Sequence, residues 1–338
     1  MCHIDIHTHI MPSSIPNWVK KFGYNGFIHL EPQGNCQANM MIGETFFRKV
    51  EANSWDADIR IREMVETGIQ KQVLSTVPVL FNYWAKERDA YDTSRFYNDH
   101  IAEVCRAHPD RYFGLGTLPL QDPELACREL ERCINELGLT GVEIGSHINE
   151  WNLNEAVLWP VYETAQRLNA SIFVHPWDMM GQERMKRYWL PWLVGMPAES
   201  SLAICSLIFG GVFDRFPRLR FAFAHGGGSF PFTLGRIKHG FDVRPDLVAI
   251  DHDVSPERYI GHFWVDSLVH DHHTLEYNLR LFGEDKIAFG SDYPFPLGDL
   301  TGGRMIMESE ISGEVKEKIM WKNAMAWLGI GETSKKDS

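Results

Sequence analysis

Several things are scarce in this sequence, and each scarcity removes a class of protein. Six cysteines are spread over 338 residues, and none stands as Cys-x-x-Cys. A chain of this length needs no disulfide staples. Cys2, Cys36, Cys105, Cys127, Cys133 and Cys205 therefore read as reduced, mostly buried thiols of a cytoplasmic protein. Positive charge is also short: 33 Lys and Arg stand against 45 Asp and Glu, a net charge of −12. That balance argues against binding nucleic acid or an anionic membrane through bulk charge. It leaves an anionic small molecule open, because a local arginine pair outweighs a distant field screened by salt. The longest strongly apolar stretch, near Leu202 to Phe213, is too short to span a bilayer. The start, Met1-Cys2-His3-Ile4-Asp5, lacks the basic-then-apolar order of a signal peptide. No internal repeat or low-complexity segment stands out, and residues 331–338 read as a polar tail.

What is present is an ordinary globular composition, 44% hydrophobic and 23% charged, with an alternation of short apolar runs and helical patterns. Candidate strands lie at Ile4–Ile6, Gln72–Thr76, Tyr112–Thr117, Gly141–Ile144, Ser171–Val174, Arg220–Ala224, Phe263–Asp266 and Lys286–Phe289. Such alternation is the signature of βαβ units on a parallel sheet. Eight strands in one domain, residues 1–330, suit a closed (β/α)₈ barrel of the TIM type; an open doubly wound sheet is the runner-up. The helices carry legible ends. Asp122-Pro123 reads as an N-cap with proline at the first position, and Gly138 as a stop. Arg60 to Gly68 reads similarly. Two excursions are too long for plain connections. One, 12–55, is expected to fold over the barrel mouth. The other, Pro176 to Ala198, holds Trp177, Tyr188, Trp189 and Trp192. Both follow strands, so both should emerge at the C-terminal face, where barrel active sites sit.

The chemistry concentrates at strand ends. In Asp5-Ile6-His7-Thr8-His9 two histidines at i and i+2 point to one face, so both imidazoles can reach one ion. Alone the motif is weak, since 15 histidines give roughly 0.7 such pairs by chance, and His270-Asp271-His272 is a ready decoy. Position separates them: His7 and His9 end an apolar strand. Three later strands also run into ligand-type residues, Ile172-Phe173-Val174 into His175, Phe221-Ala222-Phe223-Ala224 into His225, and Ile287-Ala288-Phe289-Gly290-Ser291 into Asp292. Any one histidine among them is more often a satisfied core residue, and Asp292 alone could cap a helix. Five on four strands of one barrel read as a metal centre.

This set, with its strand placement, resembles the amidohydrolase superfamily. Longer blocks narrow the likeness to its decarboxylases: Trp55-Asp56-x-x-x-Arg60-Ile61-x-Glu63-Met64, Ser75-Thr76-Val77-Pro78-Val79, Val174-His175-Pro176-Trp177-Asp178-Met179-Met180, Leu190-Pro191-Trp192-Leu193-Val194, Met196-Pro197-Ala198-Glu199, His225-Gly226-Gly227-Gly228-Ser229-Phe230 and Ser291-Asp292-Tyr293-Pro294-Phe295-Pro296-Leu297-Gly298. The likeness runs from Ile4 to about Leu328. Binuclear members carry a lysine after the fourth strand; here that stretch is Gly141-Val142-Glu143-Ile144-Gly145-Ser146-His147, which implies a single metal.

The resemblance implies one zinc per chain held by His7, His9, His175 and Asp292, with a water whose pKa falls to about 7. It implies that His225 is the catalytic acid–base, with a fourth imidazole ligand as the other reading, and that Asp292 also accepts a proton. The implied substrate is an acyclic dienyl dicarboxylate bearing an amine and an aldehyde, an intermediate of tryptophan breakdown. Its two carboxylates would be met by Arg48 and Arg236, because guanidinium binds carboxylate bidentately and stays charged. Trp189 and Trp192 would line the pocket or serve as core or dimer contacts. A homodimer is implied, with Arg236 completing the neighbouring site. Alternatives from the same metal site are a hydroxybenzoate-type decarboxylase and a lactonase-type hydrolase; a catalytically dead binding barrel is a third.

Overall fold

The computed structural model describes residues 3–34 and 36–331. Among these residues thirteen strands are formed: β1 Ile4–His9, β2 Ile28–Pro32, β3 Gln37–Ile42, β4 Thr45–Glu51, β5 Lys71–Ser75, β6 Tyr112–Gly116, β7 Gly141–Gly145, β8 His147–Ile148, β9 Trp151–Asn152, β10 Ser171–His175, β11 Arg220–Phe223, β12 Trp264–Asp266 and β13 Ile287–Ala288. Eight of them form one parallel sheet in the order β1-β5-β6-β7-β10-β11-β12-β13. The seam closes through backbone bonds from Ile6 N to Phe289 O (2.9 Å) and from Asp292 N to His7 O (2.8 Å). The expected (β/α)₈ barrel is thus the observed fold, and the open sheet is excluded.

Element bounds differ from the expectation where tertiary partners intervene. β1 continues to His9 because His9 N donates to Tyr293 O and Ile10 N to Ser75 O. The last strand shrinks to Ile287–Ala288 because Phe289 N turns to Ile319 O instead. The helix begun by Asp122, whose carboxylate accepts from Glu124 N and Leu125 N, ends at Asn135, three residues before Gly138. Among the described residues one helical stretch, Pro191–Phe209, which overlaps the Leu202–Phe213 run, is long and apolar on average. By length and composition it could cross a membrane. Its Ala203, Ile204, Leu207 and Ile208 are instead buried in the core between sheet and helices. The expectation for the polar tail falls on 332–338, outside the described residues, as does that for Cys2.

The main core is the layer between barrel and helices, with Leu74, Val142, Ile144, Ile172, Phe221, Phe223 and Ile287 facing outward from the strands. A smaller cluster of Ile4, Ile6, Val73, Leu115, Phe173, Ala222 and Ala288 comes from strands all round the barrel. Trp327 closes it, its ring 5.9 Å from that of Phe173, which in turn lies 4.9 Å from the ring of His7. The site therefore rests on a dry aromatic floor.

The 12–55 excursion forms a helix, Trp18–Phe22, and an antiparallel sheet, β2-β3-β4. The β3–β4 pairing shifts between Met40 and Met41, leaving Phe47 as an extra residue in β4. Adjacent residues of a regular strand face opposite ways, and a bulge relaxes that rule. Here Phe47 and Arg48 both line the same cavity.

Candidate metal centre and its cavity

Four strand ends deliver the predicted ligand-type side chains to one point. His7 Nε2 lies 3.2 Å from His9 Nε2 and 3.5 Å from Asp292 Oδ1, and His9 Nε2 lies 3.1 Å from Asp292 Oδ1. The rings of His7, His9 and His175 stand at centroid separations of 5.1 Å from one another. Donor atoms of His7, His175, His225 and Asp292 fall within 4.8 Å of each other, so His225 also comes within reach. His9 is outside that foursome, yet makes the shortest of these approaches to Asp292.

The far nitrogen of each ring decides what the near one offers. His7 Nδ1 donates to Asp266 Oδ2 at 2.7 Å, His9 Nδ1 to Thr76 O at 2.8 Å, and His175 Nδ1 to Pro176 O at 2.8 Å. Each ring therefore carries its proton on Nδ1 and turns the Nε2 lone pair inward. Burial pushes the His9 pKa down and that of His175 well below the ordinary imidazole value, so both are neutral. His175 Nε2 is buried without a hydrogen-bond partner. Lone pairs facing one another at this range repel unless a cation stands between them. Three anchored imidazoles and one carboxylate fit a divalent metal, and anchoring of the second nitrogen is how such ligands are held.

His225 is built differently. Its Nδ1 is buried with no partner, and its Nε2 stands 3.9 Å from Asp292 Oδ2. Burial pushes its pKa down, but the Asp292 carboxylate, aided by Asp266, outweighs burial and leaves it above the ordinary value. A ring with no anchored far nitrogen and a held proton is suited to carrying that proton. For Asp292 burial pushes upward, while His225, His9 and His7 outweigh it and keep the carboxylate well below its usual range.

Asp266, at the end of β12, was not singled out from sequence. Its Oδ2 accepts from the His7 ring and from His225 N at 2.9 Å; its Oδ1 accepts from Gly226 N at 2.7 Å and Leu268 N at 3.0 Å. One fully buried carboxylate thus orients a metal-type ligand and the turn carrying His225. The only signal available was an acid ending a strand. On β7, Glu143 lies 3.7 Å from His9 Nδ1, and burial raises its carboxyl well above the ordinary range. Burial there favours the uncharged carboxyl, and β7 offers no lysine.

Above the ligands opens a cavity of about 250 Å³ lined by His9, His175 and Asp292 below and by Arg48, Trp189 and Trp192 at its sides. Among the described residues Arg48 is its sole lysine or arginine. The guanidinium sits 4.5 Å from the Phe295 ring centroid and 5.8 Å from that of Trp192. Among the described residues no carboxylate forms an ion pair with it within 4.0 Å. Arg236, by contrast, is exposed on the helix Phe230–Val243 and does not line this cavity. His225 opens on an adjoining cavity that shares Trp192, Met196 and Leu297 with the first.

Comparison with known proteins gives the same picture. A family model described as amidohydrolase matches residues 4–330. A 2-amino-3-carboxymuconate-6-semialdehyde decarboxylase from Dictyostelium discoideum is 53% identical over 328 residues, covering 97% of this chain and 91% of the relative. One of the same name from Caenorhabditis elegans is 38% identical, covering 97% of this chain and 94% of the relative. A solved dihydroxybenzoic acid decarboxylase from Polaromonas, with bound manganese and the inhibitor 2-nitroresorcinol, superposes with a TM-score of 0.78 at 25% identity, covering 97% of each chain.

Proposed function

The chain belongs to the amidohydrolase family and is a metal-dependent decarboxylase of it; on that premise we propose that it converts 2-amino-3-carboxymuconate-6-semialdehyde to 2-aminomuconate-6-semialdehyde and CO₂, using zinc. The observation that carries this reading is Arg48, a cation caged by aromatic rings beside the metal centre, which among the described residues makes no ion pair with a carboxylate within 4.0 Å. The 53% identical relative supports the choice of substrate. In this role the enzyme draws an intermediate of tryptophan breakdown away from quinolinate.

The residues divide the work. His7, His9, His175 and Asp292 would hold the metal, which when bound supplies a Lewis acid; three nitrogens and one oxygen suit zinc, and other divalent ions of similar preference compete. Arg48 holds a substrate carboxylate in the fork of its guanidinium. Trp189, Trp192 and Phe295 shed water from the reacting carbons. His225 gives its proton to the carbon bearing the departing carboxylate. The C–C bond pair then remains with the conjugated chain as CO₂ leaves, so one proton is consumed per CO₂ released. Asp292, beside His225 Nε2, is placed to take up or return that proton. Arg236 does not line its own chain's cavity, and a second carboxylate contact would come from Arg236 of a partner in a homodimer.

The test is substrate choice. Initial rates are measured with the amino semialdehyde, a dihydroxybenzoate and a lactone, on protein loaded with zinc or with manganese. Preference for the semialdehyde by at least a hundredfold in kcat/KM is expected. Preference for the dihydroxybenzoate or the lactone overturns the substrate assignment, and higher activity with manganese overturns the metal.

A further inference from the structure

One acid in the cavity has no part in the metal centre. Asp178 lines the same cavity as Arg48, is exposed, and among the described residues is the only carboxylate there besides Asp292. Its Oδ1 accepts from Gln182 Nε2 at 2.9 Å. Among the described residues no other hydrogen bond reaches its carboxylate and no lysine or arginine pairs with it. A bare carboxylate in a pocket for a dicarboxylate repels the ligand, unless it faces a part of the ligand that donates hydrogen bonds.

The backbone beneath it is held in place at a cost. Asp178 has φ +42, in the left-handed region that side chains rarely adopt. Its carbonyl lies 3.3 Å from His147 Nε2, while His147 Nδ1 lies 2.9 Å from Asn149 O. Two residues on, Met180 N donates to the buried Glu199 Oε1 at 2.7 Å. Glu199 Oε2 stands 3.9 Å from His147 Nε2. The Trp177 indole, stacked on His147 at 5.5 Å, donates to His147 O at 2.7 Å. Side chains from β8 and from the helix Met196–Phe209 thus clamp both flanks of this turn, and Asp178 at its start lines the cavity wall.

We infer that Asp178 is the specificity-determining residue that accepts a hydrogen bond from the substrate's amino group. The inference rests on the proposed substrate, in which the amine is attached to the carbon next to the one losing CO₂. The two form an enamine. When His225 Nε2–H protonates the carboxylate-bearing carbon, the nitrogen lone pair forms a C=N bond and the nitrogen becomes cationic. Cleavage of the C–C bond then returns its electron pair, restoring the enamine and releasing CO₂. Positive charge builds on nitrogen only between these steps, so a carboxylate facing it aids the reaction more than it aids binding. An arginine at one side of the cavity and an acid at another also select a ligand carrying both charge types in the matching order.

The experiment pairs ligands with variants. Competitive binding of cis,cis-muconate and of 2-aminomuconate is measured on wild type, D178N and D178A, each with metal content and melting temperature recorded. Wild type should prefer the amino ligand by about 10- to 100-fold, the range of a hydrogen bond to a charged group. D178A should lose that preference while binding cis,cis-muconate within about threefold of wild type, or more tightly as one repulsive charge is removed. D178N, which keeps the Gln182 contact, should lose more in kcat than in KM on the semialdehyde. An unchanged amino preference in D178A overturns the assignment of Asp178. Absence of turnover by wild type instead overturns the substrate, and the binding comparison still decides the role of Asp178.

Discussion

At the scale of single residues, the anchoring of the imidazoles separates the proposed ligands from the proposed proton carrier. His7, His9 and His175 each spend Nδ1 on a fixed acceptor, whereas His225 does not. His175→Ala should therefore lose bound metal and activity together. His225→Ala should keep most of its metal and lose about 10²- to 10⁴-fold in kcat, the usual worth of a positioned acid–base group. Elemental analysis beside steady-state rates reads both; metal loss in His225→Ala equal to that in His7→Ala makes His225 a ligand. Asp266 makes a second case. Asp266→Asn should weaken metal affinity by roughly 10- to 100-fold, measured by competition with a chelator, because the His7 ring loses the acceptor that orients it. Wild-type affinity in that variant shows that the His7–Asp266 bond does not matter to the metal. The ligands were legible because each ends an apolar strand. Asp266 was not, since one acid among 45 Asp and Glu carries no spacing signal until the fold brings His7 Nδ1 and two amides to it.

At the scale of elements, the turn after β11 is the most constrained piece of the site. Gly228 has φ +65, and a Cβ there would meet Pro197 O at 2.4 Å, a backbone atom with nowhere to go. Gly228→Ala should lower stability by roughly 2–4 kcal/mol through strain and overlap, seen as a drop in melting temperature. It should also impair turnover by displacing His225. A variant that melts with wild type shows that the turn tolerates a side chain. The N-cap at Asp122 was legible, its carboxylate accepting from Glu124 N and Leu125 N as Asp122-Pro123 suggests, whereas the helix read from Arg60 starts earlier, at Ala57 after the cap Asp56. The β4 bulge at Phe47 was not legible, because register is set by pairing between strands rather than by the strand itself. Arg48 was named from the family resemblance, and the bulge explains how it and Phe47 line one cavity.

At the scale of the whole molecule, eight parallel strands gather residues from position 7 to position 292 at one mouth, and the 12–55 excursion supplies the wall that carries Arg48. Strand count and spacing made the barrel readable in advance; the closing of its seam by backbone bonds beyond β13 was not, since Phe289 and Asp292 pair from irregular chain. Arg236 lies outside its own chain's cavity, which makes assembly testable. Arg48→Ala and Arg236→Ala should each be nearly inactive. In a mixed dimer with shared sites, one site carries both defects and the other none. Random exchange makes half the dimers mixed, so activity should return to about a quarter of wild type. No recovery despite demonstrated exchange of subunits rules out sharing. The central claim is that this metal centre removes CO₂ from the amino semialdehyde. It is tested most directly by supplying that substrate, labelled with ¹³C in the carboxylate to be lost, to metal-stripped and zinc-reloaded protein and following labelled CO₂. The account predicts stoichiometric ¹³CO₂ from the reloaded protein and none above background from the stripped one. Substrate consumed without labelled CO₂, or equal release by both samples, would contradict it.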